Sequence, residues 1–402
     1  MKILIICPSL PYPANSGGSI RIFNLIKRLA KRNEVELMTI NNDFTTKGDI
    51  NELKKYCQNV YLVSPKKRSK TSQLPRVLGR LIKGEPLLVM YAESNELGKL
   101  LHELSGKENY DIIHFEHSAT ANNIKFLHPQ HHAKTVLSMH DINFMKHYRI
   151  YKNERKIFKR IKHFLTWFPM LSWEPKVARS FDKSIVVSDV DKTLLKSLDP
   201  GLNVSVVPNG VDTKAYRPYP LQGRKKDILM VGTMDHKPNV DAAKYFYNEI
   251  FPHIRAKVEE VTLTVVGKNP PSEIQQLDSD SAVEIRPNVP DVRPYYKKAM
   301  VSAVPLRSGG GTRLKILESM ALGTPVVSTS VGCEGLEVKN KHNILIANNP
   351  VDFANKVIGL LTSATLWTEI SQNGRDLVEK KYDWRRLAMV LERVYDEALS
   401  PS

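Results

Sequence analysis

The chain has 402 residues, 42% hydrophobic and 25% charged, the make-up of a globular protein rather than a disordered or fibrous one. That length exceeds one ordinary core and fits two domains of roughly 150–200 residues. The net charge of +17 is uneven: residues 1–205 carry 33 Lys and Arg against 19 Asp and Glu, and residues 206–402 carry 26 against 23. A basic first half attracts polyanions such as nucleic acid, anionic lipid or pyrophosphate.

KILIICPSL opens the chain as a compact apolar run, PYPANSGG follows as a loop, and IRIFNLIKRLAKR as an amphipathic stretch. The order reads strand, glycine-containing loop, helix. The opening run is too short for a signal peptide, and no stretch reaches the ~18 apolar residues of a membrane span. Cys7, Cys57 and Cys333 are far apart and odd in number, which fits neither a disulfide framework nor zinc spacing. The expected location is the cytoplasm.

VELMTI, NVYLV, DIIHF, KTVLSM and SIVVS recur as short β-branched runs between longer, often helical segments, the pattern of βαβ units and a parallel sheet. VPNGVD at 207–212 is turn-rich and marks a junction. DILMVG, LTVVG, VEIRPNV, MVSAVPL, TPVVST and NILIA then form a second strand series. The expected fold class is α/β: two Rossmann-like, doubly wound domains at 1–206 and 207–382, with a terminal helix over 383–402 packing back on the first. In open α/β sheets ligands sit outside the carboxyl ends of the strands, so two facing sheets would gather their loops around one cleft.

The most informative segment is Val301–Gly323, VSAVPLRSGGGTRLKILESMALG. Glycines at 309–311 let backbone approach a ligand, and the N–H groups of the following helical turn point at it. The helix dipole suits a diphosphate there, and Arg313 and Lys315 add direct charge. Glu318, a turn further on, can accept two hydrogen bonds from a cis-diol such as a ribose. Phosphate at the helix start and ribose a turn later describe one nucleotide laid along one helix. A blander reading makes the glycines a loop and the charges a solvated face; strand, glycines, bases and carboxylate in this order favour the nucleotide. Gly310, Gly311, Thr312, Arg313, Lys315 and Glu318 are the candidates on this side.

Together with KILIICPSLPYPANSGGSIR, VPNGVD, VGTMDHKPNVDA and VEIRPNVPDV, this segment resembles the family-4 retaining glycosyltransferases, of the two-domain GT-B fold, over nearly the whole chain. The resemblance implies a UDP- or GDP-sugar donor, transfer of a hexose-type sugar with retention, and no cofactor or metal. It implies a glycan or lipid-linked acceptor in cell-surface polysaccharide or glycoconjugate synthesis. In that family a Glu-x7-Glu motif reads the donor. Glu318 matches the second Glu, which binds ribose, whereas Gly310 stands where the first, which contacts the donor sugar, is expected. Thr233 follows Gly232 where the family has an arginine. Lys237 matches the downstream basic residue, and Arg313 or Lys315 can supply the absent cation.

Gly17 and Gly18 stand in the loop after the first strand, before a helix expected from Ser19; the resemblance implies that their backbone caps the donor diphosphate. His140 and Asp141 end KTVLSM. A lone His is more often structural, but this one lies at a strand's carboxyl end and matches the family's active-site His. It is assigned to bonding a sugar hydroxyl or stabilising developing positive charge through its carbonyl. Asp141 can orient His140, accept the acceptor's proton, or cap the next helix. Glu116 and His117 are weaker candidates for an acceptor pocket.

Asp278-Ser279-Asp280 reads as a turn and Ser188-Asp189 as a helix start, so neither Asp-x-Asp is assigned a metal. Residues 150–168 place Ile150, Ile157, Ile161, Phe164, Leu165 and Phe168 at helical spacing beside Lys152, Arg155, Lys156, Lys159, Arg160 and Lys162. Such a helix either lies on anionic membrane lipid or packs its apolar stripe on the first sheet and solvates its basic face. Nucleic acid is not an expected partner, for want of a recognised motif with interleaved aromatics. A dinucleotide oxidoreductase is disfavoured because PSLPYPANSGG lacks G-x-G-x-x-G. Two rivals on the same fold remain: a nucleotide-sugar epimerase, and a catalytically weak binding protein made conceivable by Gly310 and Thr233.

Overall fold

The computed structural model describes residues 1–41, 46–64, 79–80, 85–86, 92–154 and 156–400. The chain divides into two compact units, Met1–Pro208 with Trp384–Ser402, and Asn209–Asp383.

Unit 1 holds a seven-stranded sheet in the order β3-β2-β1-β4-β5-β6-β7. Its strands are β1 (Lys2–Cys7), β2 (Glu34–Ile40), β3 (Asn59–Val63), β4 (Ile112–Glu116), β5 (Lys134–Met139), β6 (Lys183–Val186) and β7 (Val204–Val206), all paired in parallel. Helices cover both faces, so the central strands are buried on both sides and read as unbroken apolar runs. Leu4 and Ile6 of β1 join Met38, Ile113, Phe115 and Leu137 in one apolar layer, while Ile3 and Ile5 are buried on the opposite face. The sequence had not marked β7, a three-residue edge strand.

Helix α1 (Gly17–Leu29) is fixed at its start by a capping box: Ser16 Oγ accepts from Ser19 N, and the Ser19 side chain accepts from Ser16 N. It thus begins two residues earlier than expected, with Gly17 and Gly18 inside its first turn. Next come α2 (Lys47–Leu53), α3 (Asn95–Lys107), α4 (Asn143–Asn153), α5 (Ile157–Arg179) and α6 (Asp189–Leu198). Ser188 Oγ accepts from Asp191 N at 3.1 Å, a helix N-cap as read from the sequence. The basic stretch 150–168 falls in two helices, α4 and α5, which pack against one another; Arg155 lies outside the described residues.

Unit 2 carries a six-stranded parallel sheet in the order β10-β9-β8-β11-β12-β13. The strands are β8 (Lys225–Thr233), β9 (Thr262–Lys268), β10 (Val283–Pro287), β11 (Ala299–Val304), β12 (Val326–Ser328) and β13 (Leu345–Ile346). The elements around its site are α7 (Lys237–Tyr245) after β8 and α8 (Leu314–Ala321) after β11. Asp278 and Asp280 accept from the backbone N–H of Ile285 and Ala282, as turn residues do.

The last helix, α9 (Trp384–Leu399), belongs to unit 1. Leu387, Ala388, Leu391, Val394, Tyr395 and Ala398 are buried at the i, i+1, i+4, i+7 spacing of one helix face. Asn33 Nδ2, beyond α1, donates to Glu392 at 2.8 Å. The chain enters and leaves unit 2 at one place: Val211 N donates to Tyr382 O at 2.8 Å, and the Asp383 carboxylate accepts from Thr213 N and Oγ1.

Candidate active site

In unit 2 the chain leaves the carboxyl end of β11 through the glycine loop and enters α8. Gly309 has φ +132° and Gly311 φ +69°, conformations that L side chains rarely adopt. Thr312 Oγ1 accepts from Asn209 Nδ2 at 2.8 Å. Arg313 is buried, and its guanidinium turns back to donate to the carbonyls of Gly310 and Gly311. It fastens the loop as well as bringing charge to it.

Lys315, in the first turn of α8, reaches the carboxyl end of β8. Its ammonium donates to Asn239 Oδ1 at 3.0 Å and would lie 2.9 Å from a Cβ placed on Gly232. The cation therefore stands beside the strand end where Thr233 replaces the arginine expected of the family. Burial and the neighbouring Arg313 lower the Lys315 ammonium to about 8, against the pull of Glu318.

Glu318 lies on α8 one turn beyond. Burial raises its carboxyl to about 7, with Lys315 opposing. Its carboxylate has no hydrogen-bond partner among the described residues. The residue is half-buried, so the carboxylate is open to a donor from outside the chain.

Lys237 is not part of this group. It is exposed at the first residue of α7, lining a cavity of about 640 Å³ with Asp241, Lys244 and Arg307. Residues 237, 241 and 244 share a helix face that residue 239 opposes, so Asn239, not Lys237, meets Lys315. Asn239 and Asn209 lie within VGTMDHKPNVDA and VPNGVD, but neither was singled out from the sequence as a site residue.

In unit 1 the key groups gather at the carboxyl ends of β4 and β5. His140 Nε2 donates to Glu116 Oε2 at 2.7 Å. The other ring nitrogen, Nδ1, faces α1: a Cβ on Gly18 would lie 3.5 Å from it. Gly17 adjoins at the first position of the helix.

Glu116 is 1% exposed. Burial would raise its carboxyl, but His114, the hydrogen bond from His140 and the charge of Arg21 hold it at about 2. Behind it lies a second histidine. His114 shares hydrogen bonds with Ser138 Oγ at 2.8 Å and with Tyr395 Oη of α9 at 2.5 Å, and burial lowers it to about 4. His117, at φ +74°, packs edge-on to His140 with ring centroids 5.6 Å apart; burial, then the charge of His140, lowers it to about 4.

Asp141 does not orient His140. It pairs with Lys146 at 3.0 Å, leaving that role to Glu116. Nor does it cap α4: the buried Glu174 carboxylate accepts from Asn143 N at 3.0 Å and Phe144 N at 2.9 Å. No residue pattern marked His114, Arg21, Tyr395 or Glu174 for these places. Among the described residues no three His, Cys, Asp or Glu side chains cluster as metal ligands do.

Each of the two parallel sheets thus carries its polar groups at the carboxyl ends of its strands, one on a glycine loop feeding a helix and the other as a His–Glu pair, where α/β proteins bind their ligands. Residues 15–215 match Glycosyltransferase Family 4, and residues 225–363 match Glycosyl transferases group 1. An uncharacterized 44.6 kDa protein in the cps region of Klebsiella pneumoniae is 24% identical over 403 residues, 96% of this chain and 97% of that one. An uncharacterized glycosyltransferase of Methanocaldococcus jannaschii is 25% identical over 406 residues, 99% of this chain and 98% of that one. The MMP alpha-(1->4)-mannosyltransferase of Mycolicibacterium hassiacum is 24% identical over 244 residues, 58% of each chain.

Among solved structures, sucrose-phosphate synthase from Thermosynechococcus elongatus superposes with a TM-score of 0.70 at 19% identity, covering 99% of this chain and 98% of its own. Anabaena HepE in complex with UDP-glucose gives 0.68 at 14%, covering 99% and 100%. The fold is GT-B. The chain belongs to glycosyltransferase family 4 and is a glycosyltransferase.

Proposed function

We propose that this enzyme transfers a hexose-type sugar from a UDP- or GDP-sugar, with retention and without a metal, to a glycan or lipid-linked acceptor. The setting we assign is cell-surface polysaccharide or glycoconjugate synthesis. The observation that carries the reading is the pair Lys315 and Glu318 on α8. One turn presents an ammonium beside Gly232, and the next a carboxylate with no hydrogen-bond partner among the described residues, in the order of a nucleotide's phosphate and ribose.

Transfer with retention needs no nucleophile from the protein if the leaving diphosphate departs as the acceptor hydroxyl attacks from the same face. The chief demand is then for positive charge at the diphosphate. Lys315, the N-terminal N–H groups of α8 and the loop fastened by Arg313 meet that demand without a cation from solution. His140, with Nε2 held by Glu116, serves the transferred sugar through Nδ1 or its carbonyl. Relatives support the sugar class: one is named as a mannosyltransferase, another as GDP-mannose-dependent, and HepE is complexed with UDP-glucose. The relative in the cps region supports the polysaccharide setting.

The test is calorimetric titration with UDP-, GDP-, dTDP- and ADP-sugars in the presence of a chelator. Saturable binding of one base with one preferred sugar supports the donor assignment. Absence of binding across the panel would overturn it. Release of nucleotide only when acceptor is added separates transfer from epimerisation.

A further inference from the structure

The hairpin of α4 and α5, within unit 1, follows the loop that carries His140. Its inner half is well held: Glu174 of α5 accepts from Asn143 N, Asn143 Nδ2 and Phe144 N at the head of α4, and Met170 and Trp173 are buried. Its outer half is different. Ile157, Phe158, Ile161, Phe164, Leu165 and Phe168 are all exposed, Phe158 at 86%, Leu165 at 64% and Phe168 at 60%.

At 100° per residue these six side chains form one stripe, roughly 120° wide, along three turns of α5. The hairpin's own packing touches it only at one edge, where the Phe164 ring lies 5.7 Å from that of Tyr151 of α4, and leaves Ile157, Phe158, Ile161, Leu165 and Phe168 exposed. Trp167, on the other side of α5, meets Tyr148 and Tyr151 of α4 at centroid distances of 5.2 and 5.6 Å, and Arg160 lies over the Tyr151 ring. An apolar stripe of this size on a soluble surface marks an interaction site.

We infer that this stripe docks the enzyme on an anionic phospholipid surface. Charge selects that partner. Residues 143–168 contain eight Lys and Arg and one acid, Glu154; Arg160 and Lys162, both exposed, flank the stripe about 40° beyond its two edges, and Lys156 and Lys159 are exposed further round the helix. Apolar side chains flanked by cations suit the headgroup boundary, with Phe and Leu below the phosphates and Lys and Arg among them. A second copy would bring like charge against like, and a nucleic acid would leave the Phe and Leu side chains without a role. No helix among the described residues is long and apolar enough to cross a membrane, so α5 lies in the interface. The inference stands apart from the donor assignment, which concerns unit 2.

Co-sedimentation of the full chain with phosphatidylcholine vesicles, with and without about a third of phosphatidylglycerol, tests it. The chain is expected to pellet with the mixed vesicles and to stay in solution with phosphatidylcholine alone. Phe158→Ser with Leu165→Ser, and separately Arg160→Glu with Lys162→Glu, should each lower partitioning about tenfold or more. All four side chains are exposed, and unchanged calorimetric binding of the nucleotide sugar would show that both variants fold. Wild-type chain remaining in solution with both vesicle types overturns the inference. So does vesicle binding indifferent to the apolar pair, or a sedimentation-velocity dimer that the apolar pair dissociates, which would give the stripe to a second copy.

Discussion

His140 and Glu116 form a pair across adjacent parallel strands, with Nε2 and Oε2 2.7 Å apart and the carboxylate almost wholly buried. The pairing fixes which ring nitrogen carries the proton and leaves the other toward Gly18. Loss of the ring or of its orientation should therefore impair turnover far more than nucleotide binding. His140→Ala is expected to lower kcat by about a hundredfold or more and Glu116→Gln by somewhat less, with calorimetric nucleotide affinity within about twofold of wild type. Equal losses in both measurements would return the pair to a structural role.

Glu318 should show opposed effects on stability and binding. Its folded pKa of about 7 lies above the ~4.3 of an unfolded Glu. The fold holds the proton more tightly than the unfolded chain does, and stability declines as pH rises from about 4.3 to about 7. Glu318→Gln removes that penalty and should stabilise the protein by roughly 1–3 kcal/mol at pH 8 while abolishing most nucleotide affinity. Thermal melts and titrations on one preparation check both; a variant that binds as wild type would sink the ribose assignment.

The ammonium beside β8 can be displaced without touching its own residue. A methyl group on Gly232 would stand 2.9 Å from both Lys315 Nζ and an Asn239 side-chain atom, closer than van der Waals contact allows. Gly232→Ala should weaken nucleotide binding about tenfold or more, approaching Lys315→Met, because a charge-assisted bond to phosphate is lost. Unbranched monosaccharides, lacking phosphate, should show no such dependence in the same titration.

His114 and His117 predict an acid limb in stability. Both are held at about 4 by burial, whereas an unfolded His binds its proton near ~6.5. Between those values the unfolded chain carries more protons, so the stabilisation is complete above about pH 6.5 and is lost as pH falls toward 4. Melting temperature against pH should fall through that window, and His117→Asn should make the slope shallower.

Much of the fold was legible because parallel strands buried on both faces appear as uninterrupted β-branched runs. The nucleotide side was legible too, since the strand end, glycine loop and α8 are contiguous in sequence. The partners of those groups were not. His140 is held by Glu116 instead of its neighbour Asp141 because residues adjacent in a sheet come from different strands; the register sets Glu116 opposite Ser138, two positions before the histidine. Asn239 reaches Lys315 from the first turn of α7, and Tyr395 comes from more than 250 residues downstream. The stripe on α5 was visible as a pattern, but only the packing of α4 determined which side of that helix would be left uncovered.

The hydroxyl of Tyr395 on His114 has a bearing on how the enzyme is made. On the ribosome, the first 208 residues can assemble their sheet early, as N-terminal domains do, but the histidine cluster is unfinished at that stage. All of Asn209–Asp383 must be synthesised before α9 can lay Tyr395 against His114. An N-terminal half released too soon would thus hold every strand of its sheet and still lack the support behind Glu116 and His140, so that competence comes only with the last helix.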